Sequence, residues 1–165
     1  MQYRFTSEGP TNNHAVGNLL LTALWDRNQD LVNGLDRIGD LLKVVGRVLP
    51  MALEPLDIEG KFENNGQASV VRGQVQVAVA TGKVKELRLI PSNPKVTPEA
   101  IAAIADADWI TFGPGSWLSS VMPHFLFKEQ ADAFKNSPAK KIMIFNLHCR
   151  SAVNFKLLEI LLITF

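Results

Sequence analysis

Asp108-Trp109-Ile110-Thr111-Phe112-Gly113-Pro114-Gly115-Ser116-Trp117-Leu118-Ser119-Ser120 is the stretch on which the reading of this chain turns. An apolar run ends in two glycines around a proline, and a hydroxyl-rich segment follows. A strand that turns through glycine into a helix start leaves backbone N–H groups unpaired at the positive end of a helix dipole, which suits phosphate. No Asp or Glu stands in the first turn after Ser116, where an acid commonly offsets that dipole. The position is therefore open to an external anion, with the hydroxyls of Ser116, Ser119 and Ser120 nearby. A simple tight turn explains Gly-x-Gly about equally well. Leu118 stands where the third glycine of the dinucleotide fingerprint would be, and no Walker lysine follows. Both observations argue against a nicotinamide dehydrogenase and a P-loop NTPase.

The chain has 165 residues, enough for one domain with a real core. With 47% apolar and 20% charged residues it reads as globular rather than disordered. Lys+Arg 17 against Asp+Glu 16 gives a net charge of +1, and the basic residues are scattered, so no nucleic-acid partner is implied. Cys149 is the only cysteine, which excludes a disulfide within the chain and fits a reducing compartment. Met1-Gln2-Tyr3-Arg4-Phe5 leads into polar residues rather than a signal peptide. No apolar run reaches the roughly 18 residues of a membrane span. The expected location is the cytoplasm.

Outward from the glycine turn, the chain divides by its periodicity. Residues 1–13 read as loop. Val16, Leu19, Leu20, Ala23 and Leu24 recur at helical spacing, with Asn12 or Asn13 as a cap. A second helix is expected over 29–45, with Leu31, Leu35, Ile38, Leu42 and Val45 on one stripe and Gly34 and Gly39 weakening it. Leu56, Ile58 and Phe62 alternate with charged residues, and Asn64-Asn65-Gly66 predicts an antiparallel return. Val75, Val77 and Val79 alternate again and read as strand, as does Val84 to Ile90. Thr97 is expected to cap a helix that has Pro98 at its first position. Strand 108–112 follows, then a helix that Pro123 breaks and restarts. A last strand over 141–147 is expected to be buried on both faces, and the tryptophans Trp25, Trp109 and Trp117 to lie mostly in the core. The alternation of strand and helix in the second half implies parallel strands with crossover helices.

Several motifs in register resemble one family. Gly113-Pro114-Gly115-Ser116-Trp117-Leu118-Ser119-Ser120-Val121-Met122-Pro123 resembles the Gly-Pro-Gly-Ser-Leu-Tyr-Thr-Ser-Ile-Leu-Pro signature of the bacterial YvcK-type gluconeogenesis factors, in the CofD-like superfamily. His14-Ala15-Val16-Gly17-Asn18-Leu19 is similar to that family's His-x-x-Gly-Asn-Leu segment. Arg47-Val48-Leu49-Pro50, Arg72-Gly73-Gln74, the segment Ala103 to Asp108, and Phe145-Asn146-Leu147 fall in the family's order. The family's glycine-rich first strand and its Asp-Asp-Gly-Gly segment have no counterpart here. Residues 1–147 are thus expected to be the C-terminal part of a CofD-like domain, and 148–165 a divergent or frameshifted tail. Leu118 replaces the family's usual Tyr, and His124 its usual Asn. Pro91-Ser92-Asn93-Pro94 has the letters of a CofD transferase motif but lies before the Thr97 helix, out of position.

The resemblance implies a Rossmann-like three-layer α/β sandwich with a mainly parallel sheet and an inserted β-hairpin region, here as a partial domain. It implies a nucleotide-sugar-binding regulator, tied to growth on gluconeogenic carbon and to cell shape, with no reaction attached. The alternatives are a phospholactyl transferase of the CofD type, which would use magnesium, and an inactive fragment. A ligand of the uridine-diphosphate-sugar class would set its phosphates against Gly113, Pro114, Gly115 and Ser116, with Ser119 donating. His14 and Asn18 would face the same crevice, and Asn146 would close it from the end of the last strand. Each assignment has a plainer counterpart: His14 as a cap or surface residue, Asn18 as an interhelical donor, Ser119 bonded to a backbone carbonyl, Asn146 as a turn former, Ser116 as a cap. Asp106 and Asp108 could bind magnesium, but as residues leading into a strand they are read as solvated. His148 and Cys149 lack clustered partners for metal or nucleophile chemistry. Trp117 could stack on a base. A chain lacking the first βα unit would leave apolar strand edges open, so self-association is expected.

Overall fold

Gly34 sits in the middle of a helix, where glycine is a poor choice, because a side chain there has no room. A Cβ at Gly34 would lie 2.5 Å from Cδ1 of Trp25, whose Nε1–H donates to Leu31 O at 3.1 Å. The tryptophan ring lies against the bare backbone and ties two helices together, α1 (Val16–Asn28) and α2 (Leu31–Leu42). These form the core of the first of two units, Met1–Pro50; the second begins at Met51. The computed structural model describes residues 1–28 and 30–144.

Helix α2 is shorter than its apolar stripe suggested. Asp30 caps it, its Oδ1 accepting from Asn33 N at 3.0 Å, and Lys43 ends it in a left-handed conformation with φ 51°. Val45 therefore lies beyond the helix and is fully exposed rather than part of the stripe. Neither Asn12 nor Asn13 is the residue next to α1. Asn12 Oδ1 instead accepts from Ser7 N, and Asn13 takes a left-handed φ of 61° in the turn that brings Arg4 opposite Ala15.

The second unit opens with a three-stranded antiparallel sheet in the order β2 (Gln67–Arg72), β1 (Asp57–Asn64), β3 (Lys83–Ile90). Asn65 and Gly66, both at positive φ, make the two-residue turn that joins β1 to β2 and pairs Asn64 with Gln67. Period-two alternation sorts the faces of β1. Ile58 and Phe62 point inward, 4% and 1% exposed, and meet Val77 and Leu118 in one core cluster. Asp57, Glu59, Lys61 and Glu63 carry the other face. There they pair with Arg72, Arg88, Glu86 and Lys85 at 2.6–2.7 Å. Hydrogen bonds from those cations hold Asp57, Glu63 and Glu86 below the usual carboxylate range.

Residues 74–79 are not the strand their valines suggested but a short helix, α3 (Gln74–Val79). Gly73, at φ 106°, ends the sheet run, and Val77 N then donates back to Gly73 O. In a helix Val75 and Val79 are one turn apart and share a face, while Val77 points the opposite way. Val75 and Val79 are indeed exposed and Val77 is fully buried. Three alternating residues fit both periods, and burial of Val77 decides between them.

Helix α4 (Pro98–Ala105) begins after Thr97 as expected, but Thr97 makes no capping bond through its side chain. The residue is completely buried, and its Oγ1 has no hydrogen-bond partner among the described residues. Strand β4 (Trp109–Phe112) leads into a five-residue π turn, Trp117–Val121, then α5 (Pro123–Leu126), α6 (Lys128–Asn136) and β5 (Lys140–Met143). β4 and β5 pair in parallel, Trp109 with Lys140 and Phe112 with Met143. Their inner face packs Phe112 on Phe134, edge to face at 5.1 Å, and on Phe125.

The fold is thus mixed α/β, but the mainly parallel sheet expected from the alternation is not what the described residues form. Three of their five strands are antiparallel and two are parallel. β5 is not buried on both faces either: Ile142 is 42% exposed, and on the paired strand Trp109 is 56% exposed instead of lying in the core. No described helix is long and apolar enough to cross a membrane.

Candidate functional site

The glycine turn lies at the carboxyl end of β4, where open α/β sheets take their ligands. Gly113 has φ 87°, and a Cβ there would run into the carbonyl oxygen of Ile144. The close approach exists because Ile144 N donates to Phe112 O at 2.9 Å, continuing the ladder one residue past β5. Only glycine serves at 113. Gly113–Pro114 is a cis peptide.

Ser116 stands at the start of the π turn. Its carbonyl accepts from Ser120 N at 2.8 Å and Val121 N at 3.2 Å, and its Oγ accepts from Ser119 Oγ at 2.8 Å. Ser119 is 5% exposed, so its hydroxyl is committed to Ser116 and does not reach a ligand directly. The backbone carbonyl of Ser119 accepts a long bond, 3.4 Å, from Gln74 Nε2 of α3. The expected helix dipole behind Ser116 is not there. The segment is a π turn of five residues followed by a four-residue helix that starts on Pro123, which has no N–H to extend the earlier ladder. Whatever the turn offers an anion comes from its own backbone and from Ser116, not from a long row of aligned peptides.

Against this turn lies a cleft of about 300 Å³. Phe112, Val121 and Phe134 give it an apolar floor, Gly113 and Pro114 form one wall, and Thr111, Ser120 and His124 are its polar groups. An apolar hollow with a few convergent polar atoms is the usual form of a small-molecule site. His124 Nδ1 lies 3.1 Å from Gln130 Oε1.

The structure brings Gly113, Pro114, Gly115, Ser116 and Ser119 together on one turn. His14 and Asn18 are exposed residues of the first unit: His14 lies in the turn before α1, and the carbonyl of Asn18 accepts from Thr22 Oγ1. Asn146 lies outside the described residues, as do His148 and Cys149. Asp106 and Asp108 are exposed at the entry to β4, and among the described residues no three His, Cys, Asp or Glu side chains converge. Trp117 is half-buried against the core clusters on either side of it. Sequence reasoning missed Thr111, His124 and Phe134 as cleft residues. Pro123 was the available signal, since a helix restarting there carries the next residue beside the turn.

Fold and cleft together define a mixed α/β protein with a ligand hollow at the end of a parallel strand. Residues 1–154 match the family described as 2-phospho-L-lactate transferase CofD, and the chain belongs to that family. Within it, the similarity runs to gluconeogenesis factors. The gluconeogenesis factor of Listeria monocytogenes is 34% identical over 146 residues, covering 88% of this chain and 44% of its own. A Mycobacterium tuberculosis protein given the same description provisionally is 40% identical over 151 residues, 89% of this chain and 44% of its own. A crystal structure of a UPF0052-family protein from Bacillus halodurans is similar, with TM-score 0.80 and 34% identity, over 88% of this chain and 46% of that one. The chain spans less than half the length of these relatives.

Proposed function

We propose that this chain binds a nucleotide sugar at the glycine turn and acts as a regulator of the gluconeogenesis-factor type, in the cytoplasm. The observation that carries the reading is the cleft lined by Gly113, Pro114 and Ser120, at a turn whose position 113 only glycine allows. The phosphates would lie against the backbone of Gly113, Pro114 and Gly115, where there are no Cβ atoms on either side of the proline. Ser116 would donate its hydroxyl, and Ser119, already donating to Ser116, would polarise it. The apolar floor would accept the less polar part of the ligand. The link to growth on gluconeogenic carbon and to cell shape follows from the family resemblance, with the ligand as the signal read.

The test is thermal unfolding of the chain with and without uridine-diphosphate glucose, beside inorganic phosphate. A ligand at about one hundred times its Kd stabilises the native state by about 2.7 kcal/mol. We expect a shift specific to the nucleotide sugar that Ser116→Asp abolishes, because a carboxylate at the turn repels the diphosphate. An unchanged shift in that variant would move the site elsewhere. The family's description supports a second reading, transfer of a phospholactyl group from a guanylated donor to the hydroxyl of a deazaflavin alcohol, with magnesium and release of guanosine monophosphate. Turnover with both substrates and magnesium would establish it, and no turnover would count against it.

A further inference from the structure

The cleft contains one imidazole, His124, and the structure fixes how it is held. Gln130 is 3% exposed on α6, and its Oε1 lies 3.1 Å from His124 Nδ1. A carboxamide oxygen only accepts, so the ring must donate from Nδ1. In a neutral imidazole that leaves Nε2 as a bare acceptor, and Nε2 has no protein partner among the described residues. Thr111 and Ser120, the other polar residues of the cleft, carry hydroxyls that donate as well as accept. Among the described residues His124 is therefore the one ring whose tautomer is set from behind by a buried side chain.

We infer that Gln130 is a positioning residue that holds His124 as the Nδ1–H tautomer, so that Nε2 accepts a hydrogen bond from a hydroxyl of the bound ligand. The ligand class is a polyol or sugar portion, as distinct from a bare oxyanion. This rests on the proposed function for the phosphate end of the ligand, and adds a determinant for the hydroxyl-bearing end. A phosphate without donors gains nothing from a lone pair, whereas a sugar ring supplies several O–H groups to it.

The tautomer can be read directly. Long-range proton–nitrogen spectra of the 15N-labelled chain at about pH 8, where an ordinary imidazole is neutral, separate a protonated ring nitrogen from a bare one. His124→Asn assigns the signal. We expect Nδ1 protonated in the unmodified chain and in Gln130→Glu, which keeps the acceptor, and a reversal to Nε2–H in Gln130→Met. Uridine-diphosphate glucose should move the Nε2 resonance, whereas sulfate, an oxyanion without a hydroxyl, should leave it in place. His124→Ala should weaken the nucleotide sugar about tenfold, the scale of one lost hydrogen bond, and leave sulfate unaffected. An Nε2–H tautomer in the unmodified chain overturns the inference whatever binds, and needs no variant to fold. A nucleotide sugar that shifts the Gly113 and Ser116 amides but not His124 overturns it while the proposed function stands. No response at any of these positions defeats the proposed function, and the acceptor role with it.

Discussion

Ser119 donates its hydroxyl to Ser116 Oγ at 2.8 Å, and it does so from a buried position. The two serines of the glycine turn are therefore one hydrogen-bonded unit, with Ser116 at its outer end. Substituting the outer serine should cost more binding than substituting the inner one. Ser116→Ala removes a donor to a charged ligand, about 1.5–3 kcal/mol, or roughly ten- to hundredfold in Kd. Ser119→Ala should weaken binding only about threefold, by relaxing Ser116. Because the inner serine acts through the outer one, the double variant should bind no worse than Ser116→Ala alone. Calorimetric titration with uridine-diphosphate glucose measures all three. Strictly additive losses would mean that Ser119 meets the ligand by a route of its own.

The two glycines flanking Pro114 should separate cleanly by experiment. At Gly113 an alanine faces both a positive φ and the Ile144 carbonyl. The left-handed conformation alone costs about 1–2 kcal/mol, and the backbone clash adds to it. We expect Gly113→Ala to lower stability by about 3 kcal/mol or more in urea unfolding. At Gly115 a Cβ would lie 3.4 Å from Ser120 Cβ, an ordinary contact. Gly115→Ala should therefore fold normally and lose affinity, because its methyl covers backbone that a phosphate would approach. A Gly115→Ala chain with full affinity would remove the phosphate from that part of the turn.

How far the sequence discloses this fold depends on how many residues share the pattern. Eight residues of β1 alternate, and both faces were legible: Ile58 and Phe62 inside, charges outside. Asn65-Gly66 announced its turn because few other pairs tolerate two consecutive positive φ angles. Three valines over 75–79 are too few, since their spacing puts all three on one face of a strand but also sets Val75 and Val79 one helical turn apart, and only the burial of Val77 away from them tells the two apart. The antiparallel return after Asn64-Asn65-Gly66 is legible, but the strand that makes it, β2, is exposed along most of its length and carries no alternation, so the valines of α3 read as strand instead. The glycine turn was visible as chemistry because Gly113 is dictated by its backbone. The commitment of Ser119 to Ser116, and the place of His124 in the cleft, depend on a π turn that no periodicity marks.

The charged face of the antiparallel sheet should give the protein an acid limit. Asp57, Glu63 and Glu86 are each held below their ordinary values, first by the hydrogen bond from Arg72, Lys85 and Lys61 respectively. A carboxyl whose folded value lies below its unfolded one binds protons more readily when unfolded. Its contribution is therefore complete above the unfolded range, about pH 4–4.5, and is lost as pH falls through the lowered folded values. All three pairs are exposed, so the effect is modest and screened by salt. We expect the urea midpoint of the unmodified chain to exceed that of an Asp57→Asn, Glu63→Gln, Glu86→Gln variant at about pH 6, and the gap to close as pH falls through the lowered folded values. Addition of about 1 M salt at pH 6 should narrow the gap. Parallel acid losses in both proteins would show that these carboxylates do not set the limit.

The outer face of β4 and β5 should mediate association. Parallel strands are ordinarily covered on both sides. Here Phe112 and Met143 face the core, while Trp109, Ile142 and Ile144 are 56%, 42% and 43% exposed on or beside the other face. Lys140 lies 4.7 Å over the Trp109 ring. A second copy of the chain is the partner available to it in a pure solution, and burying a tryptophan and two isoleucines is worth several kcal/mol. We expect sedimentation at micromolar concentrations to show self-association, and Trp109→Lys with Ile142→Lys to return the chain to a monomer without loss of cooperative unfolding. The same variant should leave the cleft's response to uridine-diphosphate glucose intact, because Gly113 and Ser116 lie past the end of β4 and not on its outer face. A monomeric unmodified chain would mean that this surface is covered within the molecule, and the double lysine variant would then be strongly destabilised instead.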